Sequence, residues 1–239
     1  MDIIFQKTSL DDEISSMVNL LLLGNEHIRV KKYICEYFDL PIEIVSQRDK
    51  DALVEIITPV IMTEQVNNAN VIDEKIKIIA ALWDTNSEKI NKIFCNVFES
   101  PQNTSVIEAF ISVNCVCPYD FEKKRIYINY RKSGEEMLEA CVHELIHYYW
   151  FDKWYKLFSK KYEQSIVWSF SEIAVDALFF ETELKQYCVR EYPAHKHFYE
   201  IDYNGQNMME YFRNLYRDNS IVEFMRLGIE IIQNLDIEI

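Results

Sequence analysis

The stretch that most constrains the fold is residues 133–154, a mostly apolar segment that contains two histidines and several glutamates. Its first residues, Ser-Gly-Glu-Glu, fit a capping box, in which a serine and a glutamate exchange hydrogen bonds with backbone amides at a helix start. Apolar residues then fall on almost every side of the predicted helix, which indicates that it is buried. The fold must therefore surround this helix and satisfy its buried polar groups.

The central polar groups of this helix are His143, Glu144 and His147. Because residues four apart lie on one helix face, both imidazoles can bind one metal ion. Glu144 lies beside that face, where its carboxylate can act on a water molecule without binding the metal. The alternative is a core helix that merely contains two histidines, but such groups are costly to bury without a metal or partners. The pattern predicts a metal site.

A third ligand is expected from residues 166–184, a second apolar segment whose pattern predicts a helix. Catalytic zinc usually has three protein ligands and one open position. Glu172 and Asp176 share a face of this helix, because they are four residues apart. We expect Glu172 to bind the metal and Asp176 to accept a hydrogen bond from the far ring nitrogen of a ligand histidine. The alternative is that both acids lie on the solvated edge of a surface helix.

Together the two segments resemble the gluzincins, the thermolysin-like zinc peptidases, in which HExxH is followed by a helix carrying ExxxD. The likeness covers about 50 residues, from Arg125 to Asp176. Residues 148–171 separate the two motifs, a somewhat longer spacing than in thermolysin. Outside this stretch the sequence resembles no family.

The resemblance implies a zinc metallopeptidase with one zinc ion per chain, bound by His143, His147 and Glu172. Zinc would polarise the scissile carbonyl and lower the pKa of its water towards ~7, and Glu144 would pass the proton to the leaving amine. Tyr162 lies near the place where thermolysin-like enzymes have a tyrosine that stabilises the tetrahedral intermediate. With 15 tyrosines in the chain, coincidence is the alternative explanation.

Two other segments are candidates for the active site. His195 and His197 lie in a proline-containing stretch that could form a loop over the metal and donate to an oxyanion; the alternative is a pair of exposed loop histidines. Residues 125–130 alternate strictly and predict a strand. Lying directly before the HExxH helix, this strand resembles the zincin edge strand, with which an extended substrate pairs; an internal strand is the alternative.

The fold class that we predict is α+β and helix-rich with a small sheet, and the resemblance implies that it is zincin-like. The 4 glycines and 5 prolines leave few tight turns, which favours helices. An N-terminal α/β lobe, residues 1–154, would end in the HExxH helix, and a helical C-terminal lobe, residues 155–239, would supply the third ligand, with the metal between them. Strands are predicted at 3–7, 42–46, 106–117 and 125–130. Helices are predicted at 10–23, 27–38, 73–83, 87–99, 133–150, 166–184, 207–216 and 220–235. Residues 49–66 are ambiguous because of Pro59.

Composition limits the partners. The formal net charge of −14 disfavours nucleic acid and anionic membranes, and it suits a peptide or protein substrate with basic groups. The first residues show no secretory signal, so the six cysteines are expected to be reduced and the protein cytoplasmic. The sequence does not indicate an oligomeric state.

Two other functions fit the same residues. One is a non-catalytic binding or regulatory module that retains the zincin scaffold, although the presence of all ligands and the base favours an enzyme. The other is a metal-dependent hydrolase of non-peptide amides. Peptide deformylase also uses HExxH, but its cysteine ligand lies in a glycine-containing motif, a context that Cys115 and Cys117 lack.

Overall fold

The computed structural model describes residues 2–24, 27–101, 105–117 and 119–235. The fold is mixed α/β and helix-rich, which agrees with the predicted α+β class. All six cysteines are free thiols, as the sequence predicted. None of the helices in these ranges is long and apolar enough to cross a bilayer.

Helices make up most of the regular structure in the described part of the chain. The α-helices are α1 (Leu10–Leu22), α2 (Ile28–Tyr37), α3 (Lys50–Asn67), α4 (Ala69–Val97), α5 (Gly134–Trp150), α6 (Lys156–Phe158), α7 (Gln164–Glu181), α8 (Met208–Arg217) and α9 (Ile221–Gln233). The strands are β1 (Asp2–Lys7), β2 (Val106–Ser112), β3 (Tyr119–Asp120), β4 (Arg125–Asn129), β5 (Asp202–Tyr203) and β6 (Gln206–Asn207). A π-helical turn, Phe151–Tyr155, extends α5, and short 3₁₀ helices lie at Ile42–Ser46, Glu183–Tyr187 and Lys196–Glu200.

The prediction of a strand at residues 42–46 is wrong, because this segment forms a 3₁₀ helix. The amide of Ile44 bonds to the carbonyl of Pro41, and the amide of Gln47 bonds to the carbonyl of Ile44. Alternating apolar residues suit a strand only where a neighbouring strand accepts the ladder of hydrogen bonds. In this segment the backbone satisfies those groups locally.

Tertiary packing extends two helices beyond what local signals predicted. α3 continues through Pro59, which lies on the exposed side, while Leu53, Ile57 and Ile61 form a buried stripe. α4 is one helix rather than two, because buried apolar residues continue at helical spacing from Trp83 to Ile90. Burial of a continuous face supplies most of the stability of a helix, so it outweighs a weak local break.

The main sheet has the order β1-β2-β4-β3, in which β2 pairs parallel with β1 and β4, and β3 pairs antiparallel with β4. β4 is the strand predicted to be the edge strand before the HExxH helix. That placement is wrong for its first two residues, whereas Tyr127, Ile128 and Asn129 have no strand partner in the described chain on the side away from β2. β3 pairs with Arg125 and Ile126 on the side away from β2. The residues from Ile126 to Asn129 are all buried, so both faces of β4 are covered. Alternation identified the strand but carried no information on its neighbours.

The described chain forms two compact units. The first unit contains residues 2–83 and the described parts of 106–137, and the second contains the described parts of 84–105 and 138–239. α4 and α5 contribute residues to both units. The sequence predicted a different division, with its boundary after residue 154.

Aromatic residues fill the core of the second unit around Phe170 of α7. The Phe170 ring lies 6.2 Å from that of Trp150 in α5 and 5.8 Å from that of Phe224 in α9. Gly228 of α9 packs directly on this ring, because a Cβ atom at residue 228 would lie only 2.4 Å from Phe170 Cε2. A residue without a side chain is therefore needed where α9 crosses α7.

Candidate metal centre

The helix that carries HExxH forms as the sequence predicted. The amide of Ser133 donates to Glu136 Oε2 at 2.7 Å, and the amide of Glu136 donates to Ser133 Oγ at 3.2 Å, so the capping box is present. Val142, Leu145 and Ile146 are fully buried. Because its apolar residues are packed on several sides, α5 is held rigidly and its polar side chains have defined positions.

α7 is also a core helix. Its residues from Ser169 to Phe179 are all buried, and these include Glu172, 6% exposed, and Asp176, fully buried. The alternative in which both acids lie on a solvated helix edge is therefore wrong. Buried carboxylates need a metal or hydrogen-bond partners.

The side chains of His143, His147 and Glu172 converge at one point in the second unit. The two Nε2 atoms lie 3.1 Å apart, and His147 Nε2 lies 3.1 Å from Glu172 Oε1. His143 Nε2 lies 3.9 Å from Glu172 Oε2. Ligands bound tetrahedrally at about 2.0–2.1 Å from zinc are separated by about 3.3 Å. The group can therefore hold one metal ion, although the metal was expected between two lobes and all three residues belong to one unit.

Unsatisfied atoms in the group also fit a bound cation. Glu172 Oε2 is buried and has no hydrogen-bond partner among the described residues. Two imidazole nitrogens that face each other at 3.1 Å need a proton or a cation between them. Imidazole and carboxylate donors suit zinc, and they suit other divalent transition metals as well.

Asp176 does not accept the hydrogen bond that was predicted from a ligand histidine. The Nδ1 atoms of His143 and His147 are buried without a hydrogen-bond partner in the described part of the chain. Asp176 instead accepts from Arg213 Nε at 2.7 Å, from Arg213 Nη2 at 2.8 Å and from the Tyr199 hydroxyl at 2.5 Å. Helical spacing placed Asp176 on the correct face, but the competing arginine lies in α8, which local spacing does not reveal.

The two histidines and Glu172 shift one another's pKa values. Burial and the neighbouring His147 lower the pKa of His143 to about 3. Burial opposes protonation of His147, but the charge and hydrogen bond of Glu172 outweigh burial and raise the His147 pKa. Burial would raise the pKa of Glu172, but His147 and His143 lower it to about 2. The contact between His147 Nε2 and Glu172 Oε1 thus raises the pKa of the histidine and lowers that of the carboxyl.

Glu144 is close to the ligands but is not one of the converging group. Its Oε1 atom lies 4.0 Å from His143 Nε2. Burial raises the pKa of Glu144 to about 7, although the charge of His147 opposes this shift. A carboxyl group with this pKa can take up and release a proton near neutral pH, as a general base must.

Of the two histidines predicted in a loop, the structure brings His195 to the metal group. His195 Nε2 lies 4.0 Å from Glu172 Oε2, and its ring lies 5.1 Å from the Trp168 ring. The His195 side chain is half exposed, at 51%. His197 packs on Phe198, with ring centroids 4.0 Å apart.

Tyr162 has a different environment from the one predicted. Its hydroxyl accepts a hydrogen bond from Lys161 Nζ at 2.8 Å, and its ring packs on Phe158. Electrostatic interaction also links Tyr162 to Arg226 of α9. No hydrogen bond or ring contact in the described chain joins Tyr162 to the three candidate ligands, so the predicted catalytic role has no structural support.

Sequence reasoning missed Glu139 and Trp168, which contact the segment that carries His195. Glu139 lies four residues before His143 on α5, and Trp168 lies four residues before Glu172 on α7. The same helical spacing that identified the ligands could therefore have identified both residues.

No protein-family model, curated protein or solved structure matches this chain. The resemblance to the gluzincins therefore rests on the HExxH and ExxxD motifs alone. The function has to follow from the chemistry that these side chains can perform.

Proposed function

We propose that this protein is a zinc-dependent metallopeptidase with a zincin-like fold. The observation that carries the proposal is the convergence of His143, His147 and Glu172, with the carboxylate of Glu144 beside them. Glu144 is not one of the residues whose ligand atoms converge, and its Oε1 atom lies 4.0 Å from His143 Nε2, so it is available as a base. A structural metal site would need no such group.

Each side chain would have a separate task. When bound, zinc would act as a Lewis acid and lower the pKa of water from about 15.7 to about 7. Glu144 would accept a proton from the attacking water and deliver it to the leaving amine. Burial raises the pKa of Glu144 and so favours its acceptance of that proton.

His195 would assist at the substrate carbonyl. Its Nε2 atom lies 4.0 Å from Glu172 Oε2, at the exposed rim of the group. From this position an N–H group could donate to the oxyanion that develops on the carbonyl oxygen. The negative charge of the chain, −14, favours peptide or protein substrates with basic groups over nucleic acids or anionic membranes.

The two alternative functions would use these side chains differently from each other. A hydrolase of non-peptide amides would use the same residues in the same roles, and only its substrate would differ. A binding or regulatory module would need the metal ligands but would have no use for the proton transfer by Glu144. The position of Glu144 therefore favours an enzyme.

The test is Glu144→Gln, because an amide cannot accept the proton. Zinc-loaded wild type should release peptides from fluorescein-labelled casein, whereas E144Q should retain one zinc per chain and lose at least ~100-fold in rate. The control is Glu135→Gln, which makes the same change at an exposed position of α5. Both measurements, zinc content and rate, are needed for each variant.

Each other outcome contradicts a stated part of the proposal. Unchanged turnover in E144Q would remove Glu144 as the base. Loss of zinc in E144Q would make it a ligand. A zinc-loaded wild type that leaves casein intact would argue for the binding module or for a non-peptide amide substrate.

A further inference from the structure

Two buried carboxylates near the metal group have no part in the proposed reaction. Glu139 on α5 and Asp176 on α7 are both fully buried. An ionised carboxylate is costly to bury unless hydrogen bonds and ion pairs compensate it. The partners of these two residues therefore show what the carboxylates do for the fold.

Glu139 binds the beginning of the segment that carries His195. Its Oε2 atom accepts hydrogen bonds from the amides of Val189 and Arg190, at 2.8 and 2.9 Å. Its Oε1 atom forms an ion pair with Arg190 Nε. Since Glu139 lies one helical turn before His143, these bonds attach residues 189–190 to the helix that carries both histidine ligands.

Asp176 binds the other part of the same segment through a tyrosine. The Tyr199 hydroxyl donates to Asp176 Oδ1 at 2.5 Å and accepts a hydrogen bond from the amide of Ala194 at 3.2 Å. Ala194 is the residue directly before His195. Asp176 lies one helical turn after Glu172, so this chain of bonds attaches the histidine to the helix of the third ligand.

We propose that Glu139 and Asp176 are positioning residues, which hold residues 189–199 so that His195 faces the metal group. This inference rests on the proposed function, because it assigns the two carboxylates a task in the same reaction. Both anchors lie one turn from a metal ligand, so the histidine and the ligands share the same two rigid helices. Trp168 supports the His195 ring from the side, at 5.1 Å between centroids.

Attachment to two helices matters because the segment contains little structure of its own. Its regular part is a 3₁₀ helix, Lys196–Glu200, which begins after His195. A group that donates to a developing charge must be placed closely, and an error of about 1 Å can cost about 100-fold in rate. Loss of an anchor should therefore affect the chemical step more than metal binding.

The test is Tyr199→Phe, which removes only the hydroxyl that connects Asp176 to Ala194. The Phe ring keeps the packing on Tyr192, whose centroid lies 4.7 Å away. Substitution of Asp176 itself would leave the half-buried Arg213 uncompensated and could unfold the protein. Tyr203→Phe is the control, because the Tyr203 hydroxyl makes no hydrogen bond in the described chain and its ring packs on Tyr211.

Hydrogen exchange of peptides that cover residues 189–199 gives a readout that does not depend on activity. In Y199F, both metal-free and zinc-loaded, we expect exchange in this segment to be about tenfold faster, since one hydrogen bond to a charged group is lost. Zinc stoichiometry and affinity should stay the same. Y203F should exchange like wild type. Unchanged exchange in Y199F would overturn the proposal, whatever the activity.

Kinetics on casein separate positioning from a merely structural role. We expect kcat in Y199F to fall by about 10–100-fold with little change in KM, because the lost contact acts in the transition state. Adding Tyr199→Phe to His195→Ala should cause no further loss, because both changes act through the same imidazole. Additive losses, or faster exchange with unchanged kcat, would overturn the positioning role. A wild type that exchanges as expected but leaves casein intact would instead contradict the proposed peptidase.

Discussion

At the scale of single residues, the protonation state of His147 affects whether a metal ion can bind. Burial opposes its protonation, yet the carboxylate of Glu172 raises its pKa. In the metal-free protein, the proton on His147 then satisfies Glu172 Oε1, which lies 3.1 Å away. A metal ion must displace this proton before it can bind, so metal binding and proton release are linked.

This linkage predicts the pH dependence of zinc affinity. Because the His147 pKa is raised, the group is still protonated where an ordinary histidine is neutral, and zinc affinity should fall as the pH falls through that raised pKa. Glu144 has a pKa of about 7 and should also lose its proton when a cation binds beside it. Titration calorimetry in buffers with different ionisation enthalpies should show release of about two protons per zinc at about pH 6.

Glu144→Gln provides the control for this titration. It removes one of the two groups, so the release at low pH should fall to about one proton per zinc. Absence of proton release at about pH 6 would mean that neither His147 nor Glu144 carries a proton in the metal-free protein.

At the scale of elements, the position of Glu172 depends on how closely α9 approaches α7. Phe170 of α7 lies two residues before Glu172, and Gly228 of α9 packs against the Phe170 ring. The Phe170 ring is enclosed by aromatic residues of other helices, among them Trp150 and Phe224. Core side chains packed in this way have no free space into which a ring could move.

Gly228→Ala should therefore destabilise the protein, even though alanine favours a helix by up to about 1 kcal/mol over glycine. The new methyl group would lie 2.4 Å from Phe170 Cε2, and overpacking of this kind costs roughly 1–3 kcal/mol. Urea unfolding of the metal-free protein measures the free-energy change.

Phe170→Leu tests whether the two residues interact directly. In the double variant the smaller side chain should relieve the clash, so the combined loss should be less than the sum of the two separate losses. A stabilising effect of Gly228→Ala alone would mean that α9 shifts to accommodate the methyl group.

At the scale of the whole molecule, the metal is expected to add stability to a chain that carries a net charge of −14. Charge repulsion among acidic groups opposes a compact state. The proposed metal brings a buried carboxylate and two imidazoles together with a cation, which removes part of this cost. Any ligand that binds only the folded state stabilises it by mass action.

Zinc should accordingly raise the melting temperature. Free zinc at about 1,000 times Kd contributes about 4.1 kcal/mol, which corresponds to about 8–16 °C for a protein of this size. Calorimetry with and without zinc measures the shift, and elemental analysis should find one zinc per chain. His147→Ala should abolish the shift, whereas His197→Ala, which removes a histidine outside the group, should preserve it. A shift that persists in H147A would place the stabilising metal elsewhere.

The sequence by itself determined the features that depend on neighbours along the chain. Helical spacing identified α5 and α7, and it placed His143 and His147 on one face of α5 and Glu172 and Asp176 on one face of α7. Alternation of apolar residues identified β4. These features are visible in a sequence because the period of a helix or a strand is a local property of the backbone.

Only the tertiary structure decided the partners of those elements. The pairing of β1 with β2, the arginine that binds Asp176, and the contact between His195 and Glu172 all join residues distant in sequence. Tertiary structure also kept α3 helical through Pro59 and α4 helical across its predicted gap, because burial against other elements overrides local helix signals. Contacts between distant segments depend on which surfaces are buried together, and local periodicity does not specify that choice.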